Sequence, residues 1–389
     1  MTQTQTVRRL QVGKIGEAVT RTDAPPKVKG EFAYASDLIV PGMLWGHTLR
    51  SPHSHARIVA IDISEALTME GVHAVLTHED VPGQKTYGLE FPDQPVLAID
   101  RVLYYGEPVA LVAAEHPEQA RRAAEKIRVE YEPLEPVADM ERATELADLH
   151  PQKPTRGHGY RDDDRANVVR HMVIRHGDPD ATGDVTVSGV YEVGIQDQAF
   201  LGPESGLAVP DGEGGVDLYI ATQWLHVDRD QVAESLGLPP EKVRLTLGGV
   251  GGAFGGREDL SMQVHACMLA LHCDRPVKMM YGREESFFGH IHRHPARMRY
   301  EHHATRDGKL VSVRARVLLD GGAYASSSTA VCANAACFSC GPYEVPNARV
   351  DAYVVYTNNP PCGAMRGFGA VQVAFAHEAQ MDKLAAALG

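Results

Sequence analysis

Gly248-Gly-Val-Gly-Gly-Ala-Phe-Gly-Gly-Arg-Glu258 puts six glycines into eleven residues, and Met365-Arg-Gly-Phe-Gly-Ala370 follows about a hundred residues later. Residues without a Cβ let a backbone approach a bulky polar ligand and present its N–H groups as donors, which favours an anion. The first segment is not a P-loop, because Gly256 is followed by Arg257 and Glu258 rather than by Lys and Ser or Thr. It is not a dinucleotide fingerprint either, since no register supplies glycines at i, i+2 and i+5. A tightly packed glycine turn is the alternative reading.

The surrounding pattern places this loop between a strand at Val243–Leu247 and an apolar helix at Ser261–His272, where a helix N-terminus favours negative charge. A helix from about Asp228 to Leu236 should close at Gly237, with Pro239-Pro240 just beyond. Alternating strands are expected at Gly183–Val193 and Val216–Ala221. Further upstream, Met43–Leu49, His73–Leu76 and Pro108–Ala113 read as strands. Pro117 opens a helix on which Ala120, Ala123, Ala124 and Ile127 share a face, and Arg128–Tyr131 returns as a strand. The fold class is α/β (α+β). The expected divisions are a polar arm at 1–26, a small α/β domain at 27–137, a solvated connector at 138–185 centred on Arg161-Asp-Asp-Asp-Arg165, and a larger domain at 186–389 that is incomplete. The final Leu384-Ala-Ala-Ala-Leu-Gly389 lies in mid-helix by pattern.

With 389 residues, 43% hydrophobic and 23% charged, the composition is that of a globular protein of two or three domains. A net charge of -13 repels phosphate backbones and argues against a nucleic-acid partner. No apolar leader or membrane-length run is present, so a cytoplasmic location without membrane contact is expected. The six cysteines are expected as free thiols. Cys332, Cys337 and Cys340 have the spacing of an iron-sulfur site, but the small apolar residues between them favour a packed helix or turn.

Taken together, the two glycine segments resemble the molybdopterin-contacting loops of the xanthine dehydrogenase and aldehyde oxidase family. Residues 251 to 258 and 365 to 370 follow both family patterns, with Arg257 for Lys and Met365 for Phe. Pro52-His-Ser-His-Ala-Arg-Ile58, Tyr105-Gly-Glu-Pro-Val-Ala-Leu-Val112, Gly202-Pro-Glu204 and Thr222-Gln223 extend the likeness over nearly the whole chain from Lys27. The resemblance implies a hammerhead domain at 27–137, followed by the first half of the molybdopterin-binding region. It also implies a molybdenum-molybdopterin cofactor, in the simple or cytosine dinucleotide form, its metal held by the pterin rather than by cysteines.

The same resemblance assigns the site. Gln223 matches the side chain near the molybdenum oxo group, although by itself it reads as a strand-end glutamine bonding backbone. Gly252, Ala253, Phe254, Gly255 and Arg366 match the cofactor contacts, with Phe254 and Arg366 near the metal through their backbone. Glu258 is the candidate catalytic and substrate-orienting carboxylate, sharing a proton with a ring nitrogen; a helix-terminal carboxylate is its bland reading. Phe368 matches one of two aromatics that stack on a planar substrate, or else is a core residue. Asn334 falls where purine-oxidising members carry an arginine, which weakens xanthine as substrate and leaves hypoxanthine, nicotinate or quinoline-like rings. Gly367 occupies the place of the copper-binding cysteine of carbon monoxide dehydrogenases, which disfavours that chemistry.

His290-Ile-His-Arg-His294, with His302 and His303, has the composition of a metal tract, but the family carries Arg-His-Pro here as a structural turn. Asp162 to Asp164 read as plain surface. The implied reaction is hydroxylation of an electron-poor heterocycle carbon with water as oxygen source, electrons passing to [2Fe-2S] and FAD partner subunits. The family's general-base glutamate lies in a second half, so a C-terminal molybdopterin-binding half or subunit is expected and the chain alone is expected to be inactive. Alternatives are an aldehyde oxidase or carbon monoxide dehydrogenase type subunit, and a non-catalytic scaffold or cofactor-handling fragment.

Overall fold

The computed structural model describes residues 15–145, 167–178 and 180–389. The first part of the expected arm and the segment Arg161–Arg165, with Asp162 to Asp164, lie outside the described residues.

Strand Pro108–Ala114 shows how the chain builds its core. All seven of its residues are buried, because alternate side chains serve two different clusters. Leu111 and Ala113 join the cluster around helix Gln263–Cys273, whereas Ala110, Val112 and Ala114 pack on Ala120, Ala123 and Ala124 of helix Pro117–Ala124. A period of two in a strand covered on both faces produces this division.

That strand belongs to a seven-stranded sheet that runs through both expected domains. Its order is Val243–Leu247, Val216–Ile220, Ser205–Pro210, Val277–Met280, Leu44–Arg50, Pro108–Ala114, Val72–Leu76. The join is parallel, with Leu44 opposite Val277 and Gly46 opposite Met279. Helix Gln263–Cys273 packs across the join against strands of both parts. From Gln263 to Ala270 it is buried on every side, as an all-round apolar helix must be.

A second sheet of five strands has the order Val185–Val193, Ala296–Ala304, Leu310–Asp320, Asn347–Val355, Val168–His176. Helices Ser328–Phe338 and Ala370–Leu388 cover one face of it. The edge strand Val168–His176 falls inside the stretch expected as a solvated connector. Its residues pair antiparallel with Asn347–Val355, and its own Val168, Val169, Val173 and Ile174 favour a strand within an otherwise polar stretch.

Elsewhere the local expectations and the elements agree to within a few residues. Helix Leu225–Leu236 begins a turn earlier than expected and closes at Gly237 with φ of 63°, the left-handed stop that glycine permits. The chain's last residues continue helix Ala370–Leu388. Among the described residues, no helix is long and apolar enough to cross a membrane.

Candidate functional site

The first glycine segment leaves the edge strand Val243–Leu247 and returns to the buried helix Gln263–Cys273, so both of its ends are anchored. Between them Phe254 adopts φ of 54° with half of its surface exposed. A bulky residue in the left-handed region costs on the order of 1–3 kcal/mol and is kept only where its surroundings enforce it. Gly255 follows at φ of 104°.

Gln223 supplies part of that enforcement. Its backbone N–H donates to Arg257 O at 2.9 Å, and its side-chain Oε1 accepts from Gly255 N at 3.0 Å and Arg257 N at 3.4 Å. The reading of a glutamine bonding backbone is thus correct for Oε1. Gln223 itself is exposed.

The second glycine segment is locked onto the first. Arg366 N donates to Phe254 O at 2.8 Å, and Gln198 Nε2 donates to Ala364 O at 2.8 Å. A Cβ at Gly255 would stand 2.4 Å from Ala364 O, so glycine is obligatory there. Arg293 holds the second turn from beneath, with Nη1 donating to Met365 O at 3.4 Å, Nη2 to Arg366 O at 3.0 Å and Nε to Gln196 Oε1 at 2.8 Å. Arg257 does the same for the first turn, donating to Gly202 O at 2.5 Å and Ala221 O at 3.3 Å while its guanidinium lies 4.5 Å above the Phe200 ring.

The N–H groups from Gly249 to Phe254, which include Gly252 and Ala253, donate to no other described residue. Six consecutive donors without a protein partner among the described residues make a cradle that suits an oxygen-rich, anionic group, such as the molybdopterin that the resemblance implies.

Asn334 and Phe368 meet at the far end of the second turn, where Asn334 Nδ2 donates to Phe368 O at 3.3 Å. Gly369 makes this approach possible, since a Cβ there would lie 2.4 Å from Val331 O on the helix that carries Asn334. Phe368 is half-buried and packs on the core of the five-stranded sheet. Glu258 sits at the foot of the first loop, half-buried, and burial raises its carboxyl above the usual range. No hydrogen bond or ion pair joins it to Asn334 or Phe368 among the described residues.

Its neighbour Asp259 is almost completely buried, and burial pushes its pKa up to about 7 against the opposing hydrogen bond from Ser326 Oγ at 2.9 Å. Ser326 is itself left-handed at φ of 47°. The adjoining Ala325 N donates to Asp93 Oδ2 at 2.9 Å, which ties the Glu258–Asp259 segment to the N-terminal part of the chain.

The histidine tract does not converge as a unit. His290 and His292 meet Asp197, whereas His294 pairs with Ser328 Oγ and His303 with Thr186 and Glu301. Cys332 is buried, Cys337 exposed and Cys340 intermediate, and all six cysteines are free thiols.

Three residues that hold the cradle escape the reading by sequence alone: Gln198, Arg293 and Asp259. Arg293 carried a signal, as part of the Arg-His-Pro turn. Gln198 and Asp259 carried none, because their partners lie 166 and 67 residues away.

Residues 160–389 match the family model of the molybdopterin cofactor-binding domain, and residues 29–135 that of the aldehyde oxidase and xanthine dehydrogenase a/b hammerhead domain. The nicotinate dehydrogenase large molybdopterin subunit of Eubacterium barkeri is 41% identical over 96% of this chain and 86% of its own length. A probable xanthine dehydrogenase subunit of Bacillus subtilis is 40% identical over 95% of this chain, which spans only 48% of that protein. The aldehyde oxidoreductase of Desulfovibrio gigas superposes with a TM-score of 0.87 at 31% identity, over 95% of this chain and 41% of that one. With its interlocked glycine turns and these relatives, the chain belongs to the aldehyde oxidase and xanthine dehydrogenase family, as a hammerhead domain followed by a molybdopterin-binding domain.

Proposed function

We propose that the chain forms one wall of a molybdenum hydroxylase site that oxidises an N-heterocycle, and that a second polypeptide segment supplies the opposite wall. The observation that carries this reading is the Arg366 N–H···O Phe254 bond at 2.8 Å, which makes the two glycine turns a single cradle. When bound, the molybdopterin cofactor supplies the oxidation of carbon with oxygen from water. Its pyranopterin would lie on the N–H groups of Gly249 to Phe254, with Gly252, Ala253 and Gly255 among the cofactor contacts and Gln223, Phe254 and Arg366 near the metal.

This chain's own contribution is to bind and orient. Glu258 holds a proton more tightly than an ordinary carboxyl because of its burial, which suits it to share that proton with a ring nitrogen. Phe368 offers a face on which a planar ring can stack, and Asn334 fixes the turn that carries Phe368 while offering an amide in place of a cationic guanidinium. The missing cation weakens xanthine as the substrate and leaves room for hypoxanthine, nicotinate or quinoline-like rings. The E. barkeri relative, a nicotinate dehydrogenase subunit by name, supports this substrate class.

Apolar side chains border the cradle in the open: Leu201 is 90% exposed, Phe254 50%, Phe287 48% and Trp224 45%. Exposed aromatic surface around a polar site marks an interface. A C-terminal molybdopterin-binding half or subunit would cover it, and iron-sulfur and FAD subunits would carry electrons away.

The test is co-purification with the companion half, molybdenum and pterin analysis, and turnover of nicotinate, hypoxanthine, quinoline and benzaldehyde with a dye acceptor. Expected are stoichiometric molybdenum, oxidation of heterocycles, and a rise of about tenfold or more in KM for Glu258→Gln, on the order of a lost charge-assisted hydrogen bond. A loaded complex that oxidises only the aldehyde overturns the substrate class. Absence of molybdenum under every condition favours a scaffold.

A further inference from the structure

We propose that Asp197, His290 and His292 form a structural site for a divalent cation of the zinc type, directly behind the two glycine turns. Asp197 Oδ2 lies 3.1 Å from His290 Nε2 and 3.3 Å from His292 Nε2, and the three donor atoms all fall within 4.8 Å of one another. Ligands at ~2.0 Å from a tetrahedral centre stand ~3.3 Å apart. Both separations from Asp197 are those of ligands around one ion.

Direction supports distance. Asp197 Oδ2 and His290 Nε2 are buried and lack a partner in hydrogen-bond geometry, although they lie 3.1 Å apart. Short separations with misdirected lone pairs result when ligand atoms aim at a common centre rather than at one another. The other oxygen of Asp197 is already used, since Ala199 N donates to Oδ1 at 2.6 Å.

The surroundings complete the site. The His290 side chain is only 2% exposed, and its Nδ1 faces Glu204 Oε1 at 2.9 Å. A carboxylate behind a ligating imidazole sets the ring's tautomer and orientation. Phe287 O lies 2.7 Å from His292 Nε2. This bond occupies the ring nitrogen that faces Asp197, so a bound cation replaces the imidazole proton, which passes to solvent, and the His292 ring turns from the carbonyl toward Asp197.

Two imidazoles and a carboxylate are a borderline donor set that suits Zn²⁺ or Co²⁺ better than Mg²⁺ or Ca²⁺. The role is mechanical. The ion would clamp the 196–200 segment, whose Gln196 and Gln198 hold Arg293 and Ala364, to the 290–293 segment whose Arg293 carries the second turn.

The experiment uses the full chain stripped with chelator and titrated with Co²⁺, read by bound metal and by visible d–d absorption. About one cobalt per chain with tetrahedral bands, displaced by Zn²⁺, is expected. Asp197→Asn and His292→Gln should each lose the bands, while His303→Gln, outside the cluster, should keep them. A wild-type chain that retains no stoichiometric cobalt or zinc overturns the proposal and leaves the group an ion-paired hydrogen-bond network. So does binding that survives unchanged in both variants. Neither outcome depends on molybdenum loading or on substrate turnover.

Discussion

Asp259 stores a pH dependence beside the cradle. Its folded pKa of about 7 stands above the ordinary 3.8, so the native state holds a proton that the unfolded chain releases. The stability this contributes is fully present below about pH 4 and is lost as pH rises through about 7. Asp93 and Glu107, each raised to about 7 by burial, act in the same direction. Asp259→Asn keeps an acceptor for Ser326 and removes the ionisation. Urea denaturation at pH 5 and pH 8 should therefore show a smaller loss of stability in the variant, by an amount on the order of a few kcal/mol. Identical losses in both proteins would show that Asp259 is not the group that titrates.

Among the elements, the two glycine turns are held by sterics as much as by hydrogen bonds. Gly255 and Gly212 both have positive φ, yet a Cβ at Gly255 would meet Ala364 O at 2.4 Å while one at Gly212 would meet nothing within 4 Å. Gly212→Ala should therefore cost about 1 kcal/mol from its backbone conformation alone. Gly255→Ala adds a collision with backbone that cannot move without breaking the Arg366–Phe254 bond, and should cost about 3 kcal/mol and lower molybdenum content in the assembled protein. Thermal unfolding with metal analysis of both variants separates strain from contact. Equal effects would mean that the turns are not interlocked.

Across the whole molecule, the hammerhead domain and the molybdopterin-binding domain share more than a linker. The seven-stranded sheet passes from one to the other at Leu44–Gly46, Tyr324 donates to Glu107, and Asn358 bridges the two by donating to Leu103 O at 2.8 Å and accepting from Val137 N at 2.8 Å. Truncating Asn358 to Ala strands a buried carbonyl and a buried N–H, at about 2 kcal/mol or more together. We expect one cooperative calorimetric transition, shifted downward in Asn358→Ala. Two transitions, only one of them shifted, would show that the sheet does not couple the domains.

The sequence alone determined what depends on local chemistry. Glycine spacing defined the turns, apolar periodicity defined the helix behind them, and Gly237 defined a helix end, because backbone freedom and side-chain periodicity are properties of neighbouring residues. Phe254 and Arg366 lie in short segments of distinctive composition, whereas Gln223 was assigned only through the family resemblance. Only the tertiary structure decided that Val168–His176 pairs with Asn347–Val355, that one sheet unites the two domains, and that Asp197 joins His290 and His292 while His294 turns away to Ser328. Those outcomes depend on partners tens to hundreds of residues distant, and no local pattern encodes which distant group a buried polar side chain will find.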